Sequence, residues 1–300
     1  MENFMNNRYY SINDYLKKEF GQKTIKLALD GGFTCPNRDG TKGYGGCAFC
    51  SAKGSGEFAS TIDKQIELLS VKWPKAKYLA YFQNHTNTYA PIEELREKYY
   101  EALNNPLIEG IVIGTRPDCI DDEVLNLLSE INKNYFMWVE LGLQTSNEKT
   151  SDFFNLKYTL IDFENSIEKL KSKDIKTVVH LILGLPGESE EDMFNSVRYV
   201  CEKQVFGIKL HMLNLVKNST LASLMPSYTS FDSIDDYVDL VIRILEIIPK
   251  DITMHRLTAD APRSILLTPE WSYKKLTILN SINNELVKRD TCQGKKYSGC

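Results

Sequence analysis

Six short apolar runs rich in β-branched or aromatic residues alternate with segments of helical spacing, and this alternation restricts the fold more than any other feature of the chain. The runs are Ile25–Leu29, Tyr78–Phe82, Ile111–Gly114, Tyr135–Leu141, Thr177–Leu183 and Gly207–Leu213. Between them, helices are predicted with recognisable starts: Pro91 at the opening of Ile92–Leu103, Asp121 before Val124–Ile131, and Ser189 ahead of Glu190–Cys201, with Asp192 three residues on. From the second run to the sixth, the centres recur every thirty to forty residues or so, roughly the length of one strand–helix unit. That pitch predicts an α/β chain with a parallel sheet, either open and doubly wound or curled into a barrel; both place ligands at the carboxyl ends of the strands. A helical stretch at Ser233–Ile248, a short strand-like run at Ile252–Leu257 and a helix from Pro269 to Lys288 follow. No linker rich in Pro, Gly or Ser interrupts the chain. The expected organisation is therefore one core over residues 21–250, an N-terminal extension over 1–20, and a C-terminal extension over 251–300 packed on that core.

Composition narrows the class. With 42% hydrophobic and 25% charged residues the chain can bury a sizeable core, and it does not resemble a disordered or fibrous sequence. No run approaches the roughly eighteen apolar residues that a membrane helix needs, and the first residues lack the apolar region of a secretory signal. A cytoplasmic location is expected, where an odd count of seven cysteines fits thiols kept for metals or catalysis better than disulfides. The net charge of −4 gives no overall attraction to nucleic acid. Residues 271–300 are locally basic, through Lys274, Lys275, Lys288, Arg289, Lys295 and Lys296, and read either as a phosphate-binding tail or as a solvated helix end.

Immediately after the first strand the chain reads GGFTCPNRDGTKGYGGCAFCS, which puts Cys35, Cys47 and Cys50 in one glycine-rich loop. Three thiolates suit an iron–sulfur cluster better than structural zinc, because closed zinc sites take four ligands. A [4Fe–4S] cluster held by three cysteines keeps one iron open, and S-adenosylmethionine (SAM) can chelate that iron and be cleaved reductively to a 5′-deoxyadenosyl radical. Two other readings of the same spacing are a zinc site completed by His85 or Cys119, which would make the chain a zinc-stabilised binding module, and a redox Cys-x-x-Cys pair.

This triplet after a first strand, with Phe49 before its last cysteine, resembles the radical SAM superfamily, in which that aromatic residue lines the adenine site. The eleven-residue gap resembles the elongator-like branch. So do Thr115-Arg116-Pro117-Asp118, the segment Glu140-Leu-Gly-Leu-Gln144-Thr, and the turn Gly184-Leu-Pro-Gly-Glu188. Phe33–Cys50 is similar to the signature of the small bacterial family typified by YhcC and YtqA. The resemblance implies a partial (β/α)6 radical SAM barrel with a C-terminal helical extension, a [4Fe–4S] cluster bound by Cys35, Cys47 and Cys50, and SAM as cofactor. Acetyl transfer is not implied, because the acetyltransferase domain of elongator has no counterpart in these residues.

On the barrel reading, polar residues at strand ends face SAM and substrate. Gln83 and Asn84 follow strand two, where relatives hold the methionine amino group. Glu140 and Gln144 are expected at the end of strand four, against the SAM ribose and methionine; the other reading of Glu140 is a pairing with a neighbouring Lys or Arg. Relatives carry an Arg clamp for the SAM carboxylate where this chain has Asn155-Leu156-Lys157-Tyr158, so Lys157 is the expected substitute, as a point charge without the guanidinium fork. Alternation places Lys209 and His211 on one face of strand six, where they are candidates to bind substrate or move a proton; His180, His255 and the trio Arg256, Asp260 and Arg263 are secondary candidates near the mouth. Cys119, Cys201, Cys292 and Cys300 receive no role. The resemblance and the basic tail together point to a tRNA wobble uridine as substrate, converted from 5-carboxymethylaminomethyluridine to 5-aminomethyluridine, with a reductant such as flavodoxin or ferredoxin as a further partner. The alternative is a radical SAM enzyme acting on a small molecule or a protein.

Overall fold

The computed structural model describes residues 8–51, 53, 54, 56–259 and 261–298; Asp260 and Cys300, noted above, lie outside them. Seven strands form one parallel sheet: β1 (Thr24–Leu29), β2 (Lys77–Phe82), β3 (Ile108–Thr115), β4 (Phe136–Gln144), β5 (Thr177–Leu183), β6 (Gly207–Met212) and β8 (Thr253–Leu257). A short antiparallel pair, β7 (Leu215–Val216) with β9 (Leu266–Thr268), sits apart. All six predicted strands are present, and the strand-like run at Ile252–Leu257 joins them as a seventh, parallel to β6. The sheet thus continues past residue 250 into the segment expected to be an extension.

The neighbour order follows the chain order without a reversal. This settles the choice that periodicity leaves open. Right-handed crossovers taken always in one direction put every helix on the same face, so the other face curls round and closes on itself. β1 and β8 do not pair, which leaves a partial barrel with a seam between them. Helix α1 (Ile12–Phe20) packs against both of these edges, and Ser11 bridges to Met254 of β8.

The remaining helices are α2 (Ile62–Ser70), α3 (Ile92–Leu103), α4 (Asp122–Asn134), α5 (Glu148–Phe153), α6 (Leu160–Lys171), α7 (Glu190–Glu202), α8 (Thr220–Leu224), α9 (Ile234–Ile247) and α10 (Lys275–Lys288). The predicted caps operate: Asp121 accepts from the Val124 amide, and Ser189 and Asp192 form a capping box, as do Thr159 and Asp162. Strand residues alternate between two cores. Leu27, Ile111, Val139, Leu141, Val179 and Leu210 face the helices. On the inner side, Leu79, Val112, Trp138 and Val178 meet Ile12 and Leu16 of α1, forming an apolar floor at the amino end of the barrel.

Candidate active site

The loop after β1 folds on its own backbone before it meets anything else. The Arg38 amide donates to the Cys35 carbonyl at 2.8 Å, the Gly46 amide to the Asn37 carbonyl at 2.8 Å, and the Cys50 amide to the Cys47 carbonyl at 2.9 Å. Asn37 Nδ2 reaches Cys47 Sγ at 3.7 Å and the Asn155 carbonyl at 2.5 Å, while Asn155 Nδ2 returns to the Gly46 carbonyl at 3.1 Å. Cys47 and Cys50 are hydrogen-bonded through sulfur, and Cys35 lies near enough to act on Cys50 electrostatically. The bond from Cys47, with the Arg38 charge beside it, holds the Cys50 thiol below its ordinary pKa, so the thiolate that a metal needs is favoured there. Gly46 has φ +79°, and a Cβ on it would lie 2.9 Å from Arg38 Nε; a Cβ on Gly43 would lie 2.5 Å from Asn37 Oδ1. The glycines therefore allow the loop to wrap tightly around the sulfurs.

The sequence-predicted residues ring the same end of the barrel. Phe49 packs 5.9 Å from Phe154 in an apolar patch with Leu185, Leu213 and Leu221, beyond the ends of β5 and β6. Gln83 and Asn84 follow β2 directly, and Asn84 is buried and bonded to Asp30. Gln144 ends β4 with φ +70°. Lys157, exposed and at φ +60°, lies against the cysteine loop near Gly43. Among the unassigned cysteines, Cys201 is a core residue and Cys119 is buried enough that its thiol is pushed up to about 12.

Glu140 is placed differently from the sequence expectation. β4 continues to Gln144, so Glu140 sits mid-strand on the inner face and deep in the lumen. Its Oε1 accepts from Lys26 Nζ at 3.0 Å and Trp138 Nε1 at 3.1 Å; its Oε2 meets Tyr81 Oη at 2.6 Å, His180 Nε2 at 2.7 Å and Lys209 Nζ at 2.8 Å. These partners satisfy the carboxylate without the ribose hydroxyls expected for it. Burial alone would raise the Glu140 pKa, but Lys209, Lys26 and His180 outweigh it and hold the carboxyl well below its usual range. Burial dominates for the partners: Lys209 is lowered to about 7 and His180 to about 4. His211, one inward position beyond Lys209, lies with its ring centre 5.2 Å from that of His180, the two planes tilted by 44°.

Sequence reasoning did not find Lys26, Tyr81 or Asn214. Lys26 and Tyr81 are inward-facing polar residues in otherwise apolar strands, a signal that alternation could have revealed. Asn214 follows β6, and both polar atoms of its side chain are buried without a partner.

The residues fit the expected cofactors. Each thiolate of a cubane cluster binds its own iron, so the sulfurs need to border a common space and not converge on one point. SAM needs polar partners along the strand ends, and there Asn84 Oδ1, Thr86 Oγ1, Asn87 Oδ1 and Asn214 are buried and unpartnered.

Comparison with known proteins decides the family. The profile of the radical SAM superfamily matches residues 35–200, and that of the Radical_SAM C-terminal domain matches residues 205–288. This chain belongs to the radical SAM superfamily. It is 42% identical over 299 residues to the uncharacterized protein YtqA of Bacillus subtilis, covering 97% of this chain and 93% of that one. More distantly, it is 22% identical over 163 residues to the tRNA uridine(34) acetyltransferase of Methanocaldococcus jannaschii, covering 53% of this chain and 29% of that protein. The solved structure of the archaeal Elp3 of Methanocaldococcus infernus shares the fold with a TM-score of 0.67 at 15% identity, covering 90% of this chain and 64% of that longer one.

The radical SAM enzyme thus uses a [4Fe–4S] cluster and SAM and draws an electron from a reductant, and its similarity extends at lower identity to elongator proteins. The zinc-module reading of the cysteines is set aside. Several motifs that carried the resemblance are braces. Arg116 binds Asp118 and the Leu156 carbonyl, and Lys42 of the cysteine loop also binds Asp118, at 2.6 Å. Glu188 accepts from Thr145 Oγ1 at 2.5 Å, which ties the turn after β5 to the end of β4. Among the described residues, no helix is long and apolar enough to cross a membrane.

Proposed function

We propose that this radical SAM enzyme acts on the wobble uridine of tRNA, converting 5-carboxymethylaminomethyluridine to 5-aminomethyluridine, with flavodoxin or ferredoxin as electron donor. One observation carries the reading: the likeness to the elongator branch, which runs along 90% of the chain in fold and includes a relative named for its action on uridine 34 of tRNA. The substrate's chemistry agrees. The C–H bond beside the substituent's carboxylate is too weakly acidic for a base, so homolytic abstraction by the radical that SAM would supply is the fitting route; loss of one electron from the carbon radical back to the oxidised cluster would give an imine, whose hydrolysis would release the two carbons as glyoxylate and leave the amine. The chain's own part is to bind the substituent, orient that C–H bond and keep water from it.

The basic tail does not support this reading as expected. Lys288 and Arg289 pair with Glu285, Arg289 also with Asp239, and Lys296 with Glu246. These cations are engaged within the protein, which favours the alternative of a small-molecule or protein substrate to that extent.

Nucleosides of tRNA from cells with and without the gene, compared by mass spectrometry, test the proposal. Loss of the gene should raise 5-carboxymethylaminomethyluridine at the expense of 5-aminomethyluridine. Unchanged wobble uridines would remove the tRNA reading and leave the alternative.

A further inference from the structure

The barrel lumen changes character partway along its axis. Its floor is apolar, closed by Leu79, Val112, Trp138 and Val178 against α1. One layer higher the inward positions are Lys26, Tyr81, Glu140, His180 and Lys209. A buried ion network of this kind is no cheaper than the aliphatic packing used just below it, so stability does not explain it. The layer is also open to solvent despite its depth: the side chains of Lys26 and His180 keep 21% and 18% of their surface accessible.

The donors in this layer exceed what Glu140 can take. Its two oxygens already accept from five groups, while the Lys209 ammonium has three N–H donors and uses two, on Glu140 and on Tyr81 Oη at 2.8 Å. Directly above Lys209, on the same face of β6, His211 Nε2 is buried and has no partner. Lys26, Lys209 and Arg256, which pairs with Lys209 across β6 and β8, meet one carboxylate here, so the layer carries an excess of positive charge facing the end of the barrel where the cysteine loop lies. Lys209 and His211 together ask for one small anion.

We propose that Lys209 and His211, with His180 beside them, form a carboxylate subsite in the lumen that receives the substrate's free carboxylate. A monoanion is the right class, because one spare ammonium donor and one imidazole donor match the two oxygens of a carboxylate. A tRNA backbone phosphate is excluded by depth, since the polynucleotide cannot follow its base into the barrel. A carboxylate held between these two side chains presents its neighbouring carbon toward the cofactor end, which is the position a hydrogen donor must take. Which molecule brings the carboxylate rests on the function proposed above; the subsite itself rests on the lumen.

Two measurements on the cluster-loaded enzyme with SAM separate the two ideas. The first compares dissociation constants for tRNA carrying 5-carboxymethylaminomethyluridine and 5-aminomethyluridine at the wobble position. Wild type should prefer the carboxylate by about tenfold or more, and Lys209→Met and His211→Phe should each bring the ratio below about threefold. The second titrates sarcosine, which carries the same amine and carboxylate, and sarcosinamide, which lacks the charge, while following histidine ring resonances. Sarcosine alone should give a saturable shift, lost in Lys209→Met. If the tRNA nucleosides prove indifferent to the enzyme but sarcosine still shifts the ring, the subsite stands and the tRNA reading falls. If the tRNA is modified while wild type shows no carboxylate preference and no response to sarcosine, the subsite is overturned and the tRNA reading stands.

Discussion

Cys35, Cys47 and Cys50 carry the chemistry at the smallest scale, and each should be individually indispensable. Replacing any one with Ala should leave the chain folded, bring cluster iron per chain close to background and abolish 5′-deoxyadenosine formation from SAM; full iron loading in one variant would remove that residue from the ligand set. The four histidines make a second prediction. Burial lowers the pKa of His85, His180, His211 and His255, to about 4 for His180. The unfolded chain binds protons as the pH falls through the ordinary histidine range near 6.5, whereas the folded chain takes them up only at lower pH. The unfolded state therefore holds more protons in that window, and stability must fall as the pH drops from about 6.5 toward about 4. Melting temperatures taken from pH 7.5 down to pH 5 should decline; a level curve would mean that these imidazoles are not held neutral.

At the scale of elements, the cysteine loop and β4 show how much register controls. The loop's glycines are unequal. Gly45 and Gly46 both have positive φ, but a Cβ on Gly45 meets nothing within 4 Å, while one on Gly46 presses on Arg38. Gly45→Ala should cost the loop about 1–2 kcal/mol in left-handed strain, and Gly46→Ala more, because Arg38 must also shift from the Ser51 carbonyl. The rate at which a chelator strips iron measures this, and equal rates for the two variants would contradict the packing argument. The strand β4 was legible as a strand, but its end was not. Reading it as Tyr135–Leu141 put Glu140 at the rim, and the three further residues to Gln144 move it into the lumen. Strand ends depend on pairing, here with Thr177–Leu181 of β5, and one sequence does not display its partner.

For the whole molecule, the two termini complete the barrel. Gln293 is buried where they meet: its Oε1 accepts from the Tyr10 amide at 2.9 Å, and its Nε2 donates to the Pro249 and Ile252 carbonyls at 2.6 and 2.8 Å. Arg8 also pairs with Asp290. Gln293→Ala strands two buried carbonyls and the half-buried Tyr10 amide and should cost about 3 kcal/mol in denaturant unfolding. A cost near zero would show that this clasp is not part of the cooperative unit. Because the clasp joins the segment before α1 to the one after α10, it ties both to the chain entering β8, beside the seam between β1 and β8.

The chain by itself determined the alternation of strands and helices, their caps and the cysteine triplet, since each of these is written in neighbouring residues as periodicity, cap chemistry or spacing. Tertiary structure alone decided that the sheet curls, because that follows from strand order. It also decided that Glu140 is met by Lys26, Tyr81, His180 and Lys209 from four other strands. Residues so distant in sequence become neighbours only when the strands close into a barrel, and a buried charge acquires its meaning from what closure puts beside it.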